Sequence, residues 1–341
     1  MTNPEKVLIT AGHEVGGLTA FAEGLSEGFT ALGIPSEVIS PKEIFKRWRD
    51  LRDAKVLKIL STTAVFAAPL ARRAICVAHG FPRVDVARWI KALAIFASYR
   101  AANLSSQTRL VAISDYVEAQ LRCLFNVRVD AVIRNPVQSC FLESHDESVE
   151  RRYLTFVGRL VPAKNVHRLL PAMCDLQKEN PELRICIIGD GPQRETLQRS
   201  FQTDPPIEFT GSLDVSRVRS YLRQSRVFVS GNEMEPFGIT YLEALSQGCA
   251  VAMPACGGGL EIALDQIDKR VYLLPLSLNQ GEVTTVLRRA LSPKSSLVSM
   301  AIYQAKAVAQ AYLSLDMQFP CMETTNHRFR NPQAGTTGVK P

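Results

Sequence analysis

Two glutamates in the second half of the chain, Glu235 and Glu243, are the first candidates for chemistry. Eight positions separate them, and the second falls inside a helix predicted over residues 239–246. On a single helix, this spacing would place their Cα atoms ~12 Å apart along the axis. The carboxyl groups of a hydrolytic pair lie roughly 5–9.5 Å apart. The spacing therefore disfavours a glycosidase pair and favours two carboxylates that contact different parts of one ligand.

Two basic residues, Arg159 and Lys164, follow a strand predicted over residues 153–157. A guanidinium can bond two phosphate oxygens at once, while an ammonium acts as a compact positive charge. Another strand ends in the segment Gly189-Asp190-Gly191-Pro192, a tight turn where a ligand can approach the backbone. The helix over residues 239–246 offers its N-terminus as an anion site. Each feature alone is typical of an ordinary turn, but together they indicate a phosphate-bearing ligand.

Alternating strand and helix signals must position these residues, and they occur in two series along the chain. This alternation predicts an α/β fold with two Rossmann-like, doubly wound parallel-sheet domains facing across a cleft. We assign residues 1–137 to the first domain, 138–152 to a polar linker and 153–318 to the second domain. The polar tail 319–341 is predicted to be disordered. The predicted strands cover residues 7–10, 37–39, 56–60, 75–78, 110–113, 131–133, 153–157, 183–188, 207–209, 227–230 and 250–252.

The order and spacing of these motifs resemble glycosyltransferase family 4, whose members have the GT-B fold. The family shows a Gly-Arg-Leu…Lys stretch, a Gly-Asp-Gly-Pro turn and a Glu-x7-Glu motif, and a glycine-rich segment follows them. Here they are the stretch Gly158-Arg159-Leu160…Lys164, residues 189–192, the pair Glu235 and Glu243, and Gly257-Gly258-Gly259-Leu260-Glu261. The resemblance is dense over residues 153–263 and thinner in the first half.

The resemblance implies a role for each matching residue. Arg159 and Lys164 would hold the diphosphate of a nucleotide-sugar donor, Glu235 would lie near the donor sugar, and Glu243 would bind the ribose. His79, at the end of a predicted strand, matches the position near sugar and acceptor, although a lone histidine is often merely packed. His13, Glu14 and Asp115 are weaker candidates at the same edge. The further residues expected to bind substrate are Gly16, Gly17, Gly189, Gly191, Phe237, Gly238, Gly257, Gly258 and Glu261.

The resemblance also implies the reaction. A hexosyltransferase of this kind would move a sugar from a UDP-, GDP- or ADP-sugar to a glycan or lipid-linked acceptor, in cell-surface polysaccharide synthesis. The acceptor hydroxyl would attack on the face that the nucleotide leaves, so the anomeric configuration would be retained. We expect no metal and no cofactor, because the sequence has no Asp-x-Asp and no Cys/His cluster at ligand spacing. Cationic side chains and helix N-termini would meet the leaving charge instead.

Departures from the family pattern are expected to alter loop geometry while leaving the charged contacts in place. Ala163 replaces the acidic residue that is common before the lysine, and Asn165 replaces the glycine that follows it. Leu260 stands where proline is usual, and Asn135-Pro136-Val137-Gln138 replaces Asn-Gly-Val-Asp.

Two other functions remain open at this point, and a third is disfavoured. A GT-B epimerase or phosphorylase would use the same donor site, and a scaffold protein could bind a sugar nucleotide without catalysis. A dinucleotide-dependent oxidoreductase is disfavoured, because Gly12, Gly16 and Gly17 do not have the Gly-x-Gly-x-x-Gly spacing.

The basic charge of the chain is concentrated in its first half. The formal net charge is +7, yet residues 42–100 contain thirteen Lys or Arg against four Asp or Glu, an excess of nine. A helix predicted over residues 42–52 carries Ile44, Phe45, Trp48 and Leu51 on one side. It could lie on an anionic membrane, or its apolar side could pack on its own sheet.

The remaining composition suggests a cytoplasmic protein. The eight cysteines form no Cys-x-x-Cys pair and are expected to be reduced. Residues 1–6 lead directly into a strand, so we expect no signal peptide, and no apolar run is long enough for a transmembrane helix. We expect location in the cytoplasm or at the inner face of the plasma membrane, and no nucleic-acid partner.

Overall fold

The computed structural model describes residues 3–11, 16–80, 89–143, 149–204, 206–264, 270–292 and 300–318, with only the backbone of residues 89–92 and 263. The segment 319–341, predicted to be a disordered tail, lies outside the described residues. In the described part of the chain, no helix is long and apolar enough to cross a membrane.

The first half of the chain forms a parallel sheet, which has six strands in the described residues and the order β2-β1-β3-β4-β5-β6. Its central strands are buried along their whole length and consist mostly of apolar residues, as expected for a parallel sheet covered on both faces. The strands are β1 Lys6–Thr10, β2 Ser36–Ile39, β3 Val56–Ser61, β4 Ala74–Ala78, β5 Thr108–Ala112 and β6 Ala131–Val132. The helices are α1 Gly17–Thr30, α2 Trp48–Arg52, α3 Trp89–Asn103 and α4 Asp115–Phe125.

The second half forms another parallel sheet, with six described strands in the order β12-β11-β10-β7-β8-β9. The strands are β7 Tyr153–Val157, β8 Arg184–Ile188, β9 Glu208–Gly211, β10 Ser225–Val229, β11 Ala250–Pro254 and β12 Val271–Leu274. The helices are α5 Val166–Glu179, α6 Arg194–Ser200, α7 Val215–Arg223, α8 Ile239–Ser246, α9 Gly259–Ala263, α10 Gln280–Ala290 and α11 Ala305–Asp316. Two parallel sheets flanked by helices confirm the predicted α/β fold class.

The last helix, α11, returns to the first sheet and packs against α1. The two helices approach so closely that a Cβ at Gly28 would lie 2.1 Å from the carbonyl oxygen of Ala305. At the other end of α11, Asp316 forms a buried ion pair with Arg73, at 2.7 Å. The sequence-based boundary at residue 318 puts this helix in the second domain, whereas its packing joins it to the first.

The helix predicted over residues 42–52 is interrupted. Residues Glu43–Phe45 form a short 3-10 helix and α2 begins only at Trp48. The backbone leaves the helical region at Arg47, where ψ is 37°, and the Arg47 side chain bonds Glu37 on the neighbouring strand β2. Tertiary pairing of Arg47 therefore competes with a continuous helix.

Candidate active site

Lys164 and Glu235 lie side by side at the carboxyl ends of neighbouring strands. Lys164 ends a 3-10 turn that follows β7, and Glu235 lies in the loop that follows β10, the strand paired with β7. The Lys164 Nζ lies 3.0 Å from Oε2 of Glu235. The same oxygen accepts a hydrogen bond from Nδ2 of Asn232 at 2.5 Å. The structure thus brings together two residues that the sequence places 71 positions apart.

Asn165, which replaces the family's glycine, has a left-handed backbone with φ 52° and ψ 28°. Asparagine tolerates this conformation better than other residues with a side chain. Its Nδ2 donates to the carbonyl of Gly231 at 2.9 Å and to Oε1 of Glu233 at 3.0 Å. The substitution therefore keeps the turn that glycine would allow and adds two bonds to the loop that carries Glu235.

Arg159 is exposed just beyond β7, and the Gly189–Gly191 turn lies directly against its loop. A Cβ at Gly189 would lie 2.0 Å from the carbonyl oxygen of Gly158, and one at Gly191 would lie 2.5 Å from that of Leu160. Both glycines were expected to let a ligand approach the backbone. In the structure, their missing side chains leave room for the Gly158–Leu160 backbone, so the turn supports the loop that presents Arg159.

The predicted helix over residues 239–246 is α8, and Gly238 is its N-cap. Gly238 has φ 94°, and a Cβ there would lie 2.5 Å from the ring of Tyr241, so this position requires glycine. Phe237, expected to bind substrate, is only 2% exposed and packs beside the ring of Tyr303. It belongs to the core and fixes the loop between Glu235 and α8.

Glu243 lies within α8 and is 7% exposed. Among the described residues, its carboxyl group has no hydrogen-bond partner. Burial raises the pKa of Glu243 from its ordinary value of 4.5 to about 7, because the charged form loses its hydration. An unpartnered buried carboxyl group is a strong acceptor for hydroxyl donors such as those of a ribose.

The glycine pair after β11 holds the backbone of the Glu235 loop. The Gly258 N–H donates to the carbonyl oxygen of Glu235 at 2.8 Å. A Cβ at Gly258 would lie 2.0 Å from the carbonyl oxygen of Pro236, and one at Gly257 would lie 2.6 Å from that of Glu235. The sequence resemblance assigns this pair backbone donors to sugar or phosphate. In this structure the Gly258 donor is already used by Glu235.

The loop around Glu235 also meets the first domain. Ser114, which follows β5, donates from Oγ to the carbonyl oxygen of Pro236 at 2.6 Å. The same Oγ caps α4 by accepting from the Val117 N–H at 3.1 Å. Gly80, which follows β4, lies so close that a Cβ there would be 2.7 Å from Cγ of Pro236. The carboxyl ends of β4 and β5 therefore face the Glu235 loop directly across the cleft. No sequence motif indicates the Ser114 contact.

Glu261 also crosses the cleft. Its carboxylate accepts backbone N–H groups of Asp115 at 3.0 Å and Tyr116 at 2.8 Å, and Nη2 of Arg134 lies 4.0 Å away. Burial raises the pKa of Glu261, and the two backbone hydrogen bonds oppose this shift. The residue was expected to bind substrate. Here it occupies the N-terminus of α4, the place where an anionic ligand would otherwise bind.

His79 directly follows β4 and precedes Gly80. Its ring meets Phe21 of α1 edge-on at 4.5 Å, and its Nε2 is buried without a hydrogen-bond partner. Burial lowers the pKa of His79 to about 3, so the imidazole is neutral near pH 7. A neutral, unpartnered nitrogen at the edge of the cleft can pair with a hydroxyl group of a bound sugar.

The glycine loop of the first domain is only partly described. Gly16 and Gly17 are exposed at the start of α1, and among the described residues no atom lies within 4 Å of a Cβ built on either. His13 and Glu14 lie outside the described residues, and Asp115 is exposed 3.8 Å from Arg134. Over the described residues, no group of three His, Cys, Asp or Glu side chains could hold a metal ion, and metal independence stays a prediction.

Known proteins are similar to this chain in both sequence and structure. The family model described as "Glycosyl transferases group 1" matches residues 141–303, which include every second-domain residue discussed above. The sulfoquinovosyl transferase SQD2 of Arabidopsis thaliana is 33% identical over 195 residues, covering 54% of this chain and 36% of that protein. A GDP-mannose-dependent alpha-(1-6)-phosphatidylinositol monomannoside mannosyltransferase of Mycolicibacterium smegmatis is 30% identical over 126 residues, or 34% and 33% of the two chains.

These matches span about a third of the length of the curated relatives. Among solved structures, that of WaaG, a glycosyltransferase involved in lipopolysaccharide biosynthesis, superposes with a TM-score of 0.64 at 14% identity. The superposition covers 91% of this chain and 95% of WaaG. Residues 141–303 thus match the glycosyl transferases group 1 family, and the chain has the GT-B fold.

Proposed function

We propose that this protein is a retaining, metal-independent glycosyltransferase of the hexosyltransferase type. It would transfer a sugar from a nucleotide-diphosphate sugar to a glycan or lipid-linked acceptor, in cell-surface polysaccharide synthesis. The observation that carries the proposal is the Lys164–Glu235 pair. It lies at the carboxyl ends of adjacent strands, inside the part of the chain that matches the family.

In this proposal, Lys164 and Arg159 bind the diphosphate of the donor. Charge grows on the diphosphate as its bond to the sugar breaks, and preorganised cations stabilise that charge without having to move. Lys164 is already held in place by Glu235. No metal ion is needed to supply this positive charge. Activity that survives a chelator and is not restored by added Mg²⁺ or Mn²⁺ would support this part of the proposal.

The proposed transfer takes place on one face of the sugar. The bond from the anomeric carbon to the diphosphate oxygen breaks, and a bond from the same carbon to the acceptor oxygen forms on that face. The acceptor proton passes to the departing diphosphate oxygen. Glu235 would hydrogen-bond the donor sugar, Glu243 would accept the ribose hydroxyls, and neutral His79 would bond a hydroxyl of the sugar or acceptor.

Contacts across the cleft support a closed site. Ser114 and Glu261 join the two domains on either side of the Glu235 loop. A closed cleft excludes water, which would otherwise hydrolyse the donor. One relative is named as a GDP-mannose-dependent phosphatidylinositol monomannoside mannosyltransferase. The donor and the lipid in that name support a nucleotide-sugar donor and a lipid-linked acceptor for this chain. A cytoplasmic location, in solution or at the inner membrane face, fits such substrates.

A panel of UDP-, GDP- and ADP-sugars tests donor binding by thermal shift. A donor at 100 times its dissociation constant should stabilise the fold by about 2.7 kcal/mol. The donor found in this way is then incubated with candidate acceptors, and nucleotide release that depends on the acceptor identifies a transferase. An epimerase would change the donor without an acceptor, and a phosphorylase would require inorganic phosphate.

A non-catalytic sugar-nucleotide-binding protein is the second candidate. Two groups that resemblance assigns to the donor, the Gly258 N–H and the Glu261 carboxylate, are engaged with protein atoms here. Donor binding without product from any acceptor, unchanged by Glu235→Ala, would favour this second function.

A further inference from the structure

Two crossover segments of the first domain leave four large apolar side chains exposed. Phe45 and Trp48 lie between β2 and β3 and are 49% and 48% exposed, while Phe66 and Leu70 lie between β3 and β4 and are 44% and 42% exposed. The rings of Phe45 and Phe66 stack with centroids 5.3 Å apart, so the two segments present one surface. We call these four residues the aromatic surface.

The segments beneath the aromatic surface are anchored, so its exposure is not a result of loose packing. Ile44, Leu51 and Val65 are buried in the core. The Nζ of buried Lys58 donates to the carbonyl oxygens of Asp53, Val56 and Arg72. Ile44 and Leu51 pack in the core, as the packing interpretation of the amphipathic segment predicts, whereas Phe45 and Trp48 point outward. The membrane interpretation stays a prediction.

Four basic residues lie in the same chain segment as Phe45 and Trp48. Lys42, Lys46, Arg49 and Arg52 are exposed, and within the described part of the chain none of them forms an ion pair with a carboxylate. Of the acidic residues in this segment, Asp50 lies 3.6 Å from Arg47, and Glu43 accepts the backbone N–H of Ser40. Exposed rings bordered by unpaired cations are complementary to a surface that is apolar inside and anionic outside.

The ring arrangement favours lipid over single-stranded nucleic acid. Bases bind by stacking on open aromatic faces. Here Phe45 and Phe66 cover one face of each other at an interplanar angle of 24°, and the Arg52 guanidinium lies over the Trp48 ring, 5.4 Å from its centroid. Rings that are partly covered and cannot stack bases freely can still insert between lipid headgroups.

We propose that the aromatic surface and its four cations bind an anionic lipid bilayer from one side. The apolar rings would enter the headgroup region while the cations bind lipid phosphates. This inference goes beyond the proposed transferase activity, because it depends on no residue of the cleft.

The test is flotation of the full chain with phosphatidylcholine vesicles that contain or lack phosphatidylglycerol. We expect binding to the anionic vesicles, weaker binding at high salt, and little binding to phosphatidylcholine alone. Each basic residue near an anionic surface contributes roughly fivefold in affinity, so Arg49→Gln with Arg52→Gln should weaken binding about 30-fold. Phe45→Ser with Trp48→Ser should also reduce binding while donor-induced thermal shifts remain unchanged.

Matched controls lie in the second domain. Val215→Ser with Leu276→Ser removes exposed apolar side chains, and Arg199→Gln with Arg288→Gln removes exposed cations. Both control pairs should bind anionic vesicles like the unmodified protein. A blue shift of tryptophan fluorescence on vesicles, absent in Trp48→Phe, would place Trp48 in the bilayer, because the only other tryptophan is Trp89.

Three results would overturn the inference. Equal affinity for neutral and anionic vesicles, or none for either, would exclude recognition of anionic lipid. If single-stranded RNA displaced the protein from vesicles at an RNA concentration below the lipid concentration, nucleic acid would be the favoured ligand instead. Self-association in sedimentation that Trp48→Ser abolishes, without vesicle binding, would identify a second copy of the chain as the occupant.

Discussion

The Nζ of Lys164 lies 3.0 Å from Oε2 of Glu235, and this ion pair joins the loops that follow β7 and β10. Asn232 holds the same carboxylate oxygen, so Glu235 has a fixed orientation before any substrate binds. A donor diphosphate would become a second anionic partner of Lys164. The contact to Lys164 would then weaken and leave Glu235 available to the sugar, which couples donor binding to the placement of the carboxylate.

The buried carboxyl group of Glu243 predicts a pH-dependent stability. Its pKa in the folded protein is about 7, above its ordinary value of 4.5, so the folded state binds more protons between these two values. The stability from this group is therefore complete below about pH 4.5, falls as the pH rises to 7, and is then constant. We expect Glu243→Gln to be more stable than the unmodified protein at about pH 8, by on the order of 3 kcal/mol, and equal to it near pH 4.5. Urea unfolding at the two pH values measures this difference.

The same carboxyl group predicts proton release on donor binding. Ribose hydroxyls that donate to Glu243 would stabilise its charged form and lower its pKa. Calorimetry near pH 7 in buffers of different ionisation enthalpy should show proton release by the unmodified protein and less release by Glu243→Gln. Equal release by both proteins would mean that the ribose does not contact Glu243.

The carboxylate of Glu261 is expected to hold the two domains together. Its hydrogen bonds to the backbone of Asp115 and Tyr116 join α9 to α4 across the cleft, and hydrogen bonds to a charged group contribute about 1.5–3 kcal/mol each at most. We expect Glu261→Ala to shift the ligand-free protein toward an open form, seen as a larger radius of gyration in small-angle scattering. The apparent donor affinity should fall in proportion to the closed fraction.

Glu195→Ala, on the surface of α6, serves as the control and should change neither the radius of gyration nor the donor affinity. If Glu261→Ala instead lowered donor affinity without changing the scattering, the side chain would be acting as a ligand for the donor, as the sequence resemblance implies.

Two glycines should respond differently to alanine because their surroundings differ. A Cβ at Gly258 would lie 2.0 Å from the Pro236 carbonyl oxygen, whereas no atom of the described residues lies within 4 Å of a Cβ at Gly17. Gly258→Ala should destabilise the fold by about 1–3 kcal/mol, as overpacking does. Gly17→Ala should leave the unfolding midpoint nearly unchanged while reducing donor affinity, because the added methyl group lies where a diphosphate would approach α1. Unchanged donor affinity in Gly17→Ala would remove this glycine from the binding site.

Asn165 gives a test of loop geometry. Asn165→Ala should remove the two side-chain bonds to the Glu235 loop and disfavour the left-handed backbone conformation. The backbone effect alone should lower the free energy of unfolding by roughly 1–2 kcal/mol. Asn165→Gly restores the family residue and keeps the backbone conformation. We expect thermal unfolding to rank the unmodified protein first, Asn165→Gly second and Asn165→Ala last. Equal stability of the two variants would mean that the left-handed conformation contributes little.

Eleven of the twelve described strands could be predicted from sequence because buried parallel strands are short apolar runs bounded by turn residues. The strand β12, Val271–Leu274, was not predicted. The positions of Lys164 and Glu235 in loops that follow strands of one sheet could be predicted from the same pattern, but the ion pair between them could not. The return of α11 to the first sheet could not be predicted, because it depends on close approach at Gly28 and on the ion pair of Arg73 with Asp316. Arg73 and Asp316 are 243 positions apart, and neither lies within a motif.

Sequence motifs also did not distinguish residues that contact a ligand from residues that support the loop. Phe237, Gly189, Gly191 and Gly258 lie within motifs, yet their neighbours in the structure are protein atoms. A motif records that a position is constrained, and a close backbone approach constrains a glycine as strongly as a substrate does. Only the coordinates of the neighbouring loop separate the two causes.

Acceptor-dependent transfer by paired variants tests the proposed chemistry most directly. With the donor identified by thermal shift, Lys164→Ala should lower kcat about 10²–10³-fold, the loss typical for one stabilising group at a developing negative charge. Glu235→Ala should lower it as well, while Lys178→Ala, on the exposed surface of α5, should have no effect. Proton NMR of the unmodified protein's product should show the anomeric configuration of the donor. Transfer that proceeds at an unchanged rate in both Lys164→Ala and Glu235→Ala, or a product of inverted configuration, would contradict a retaining transferase centred on this ion pair.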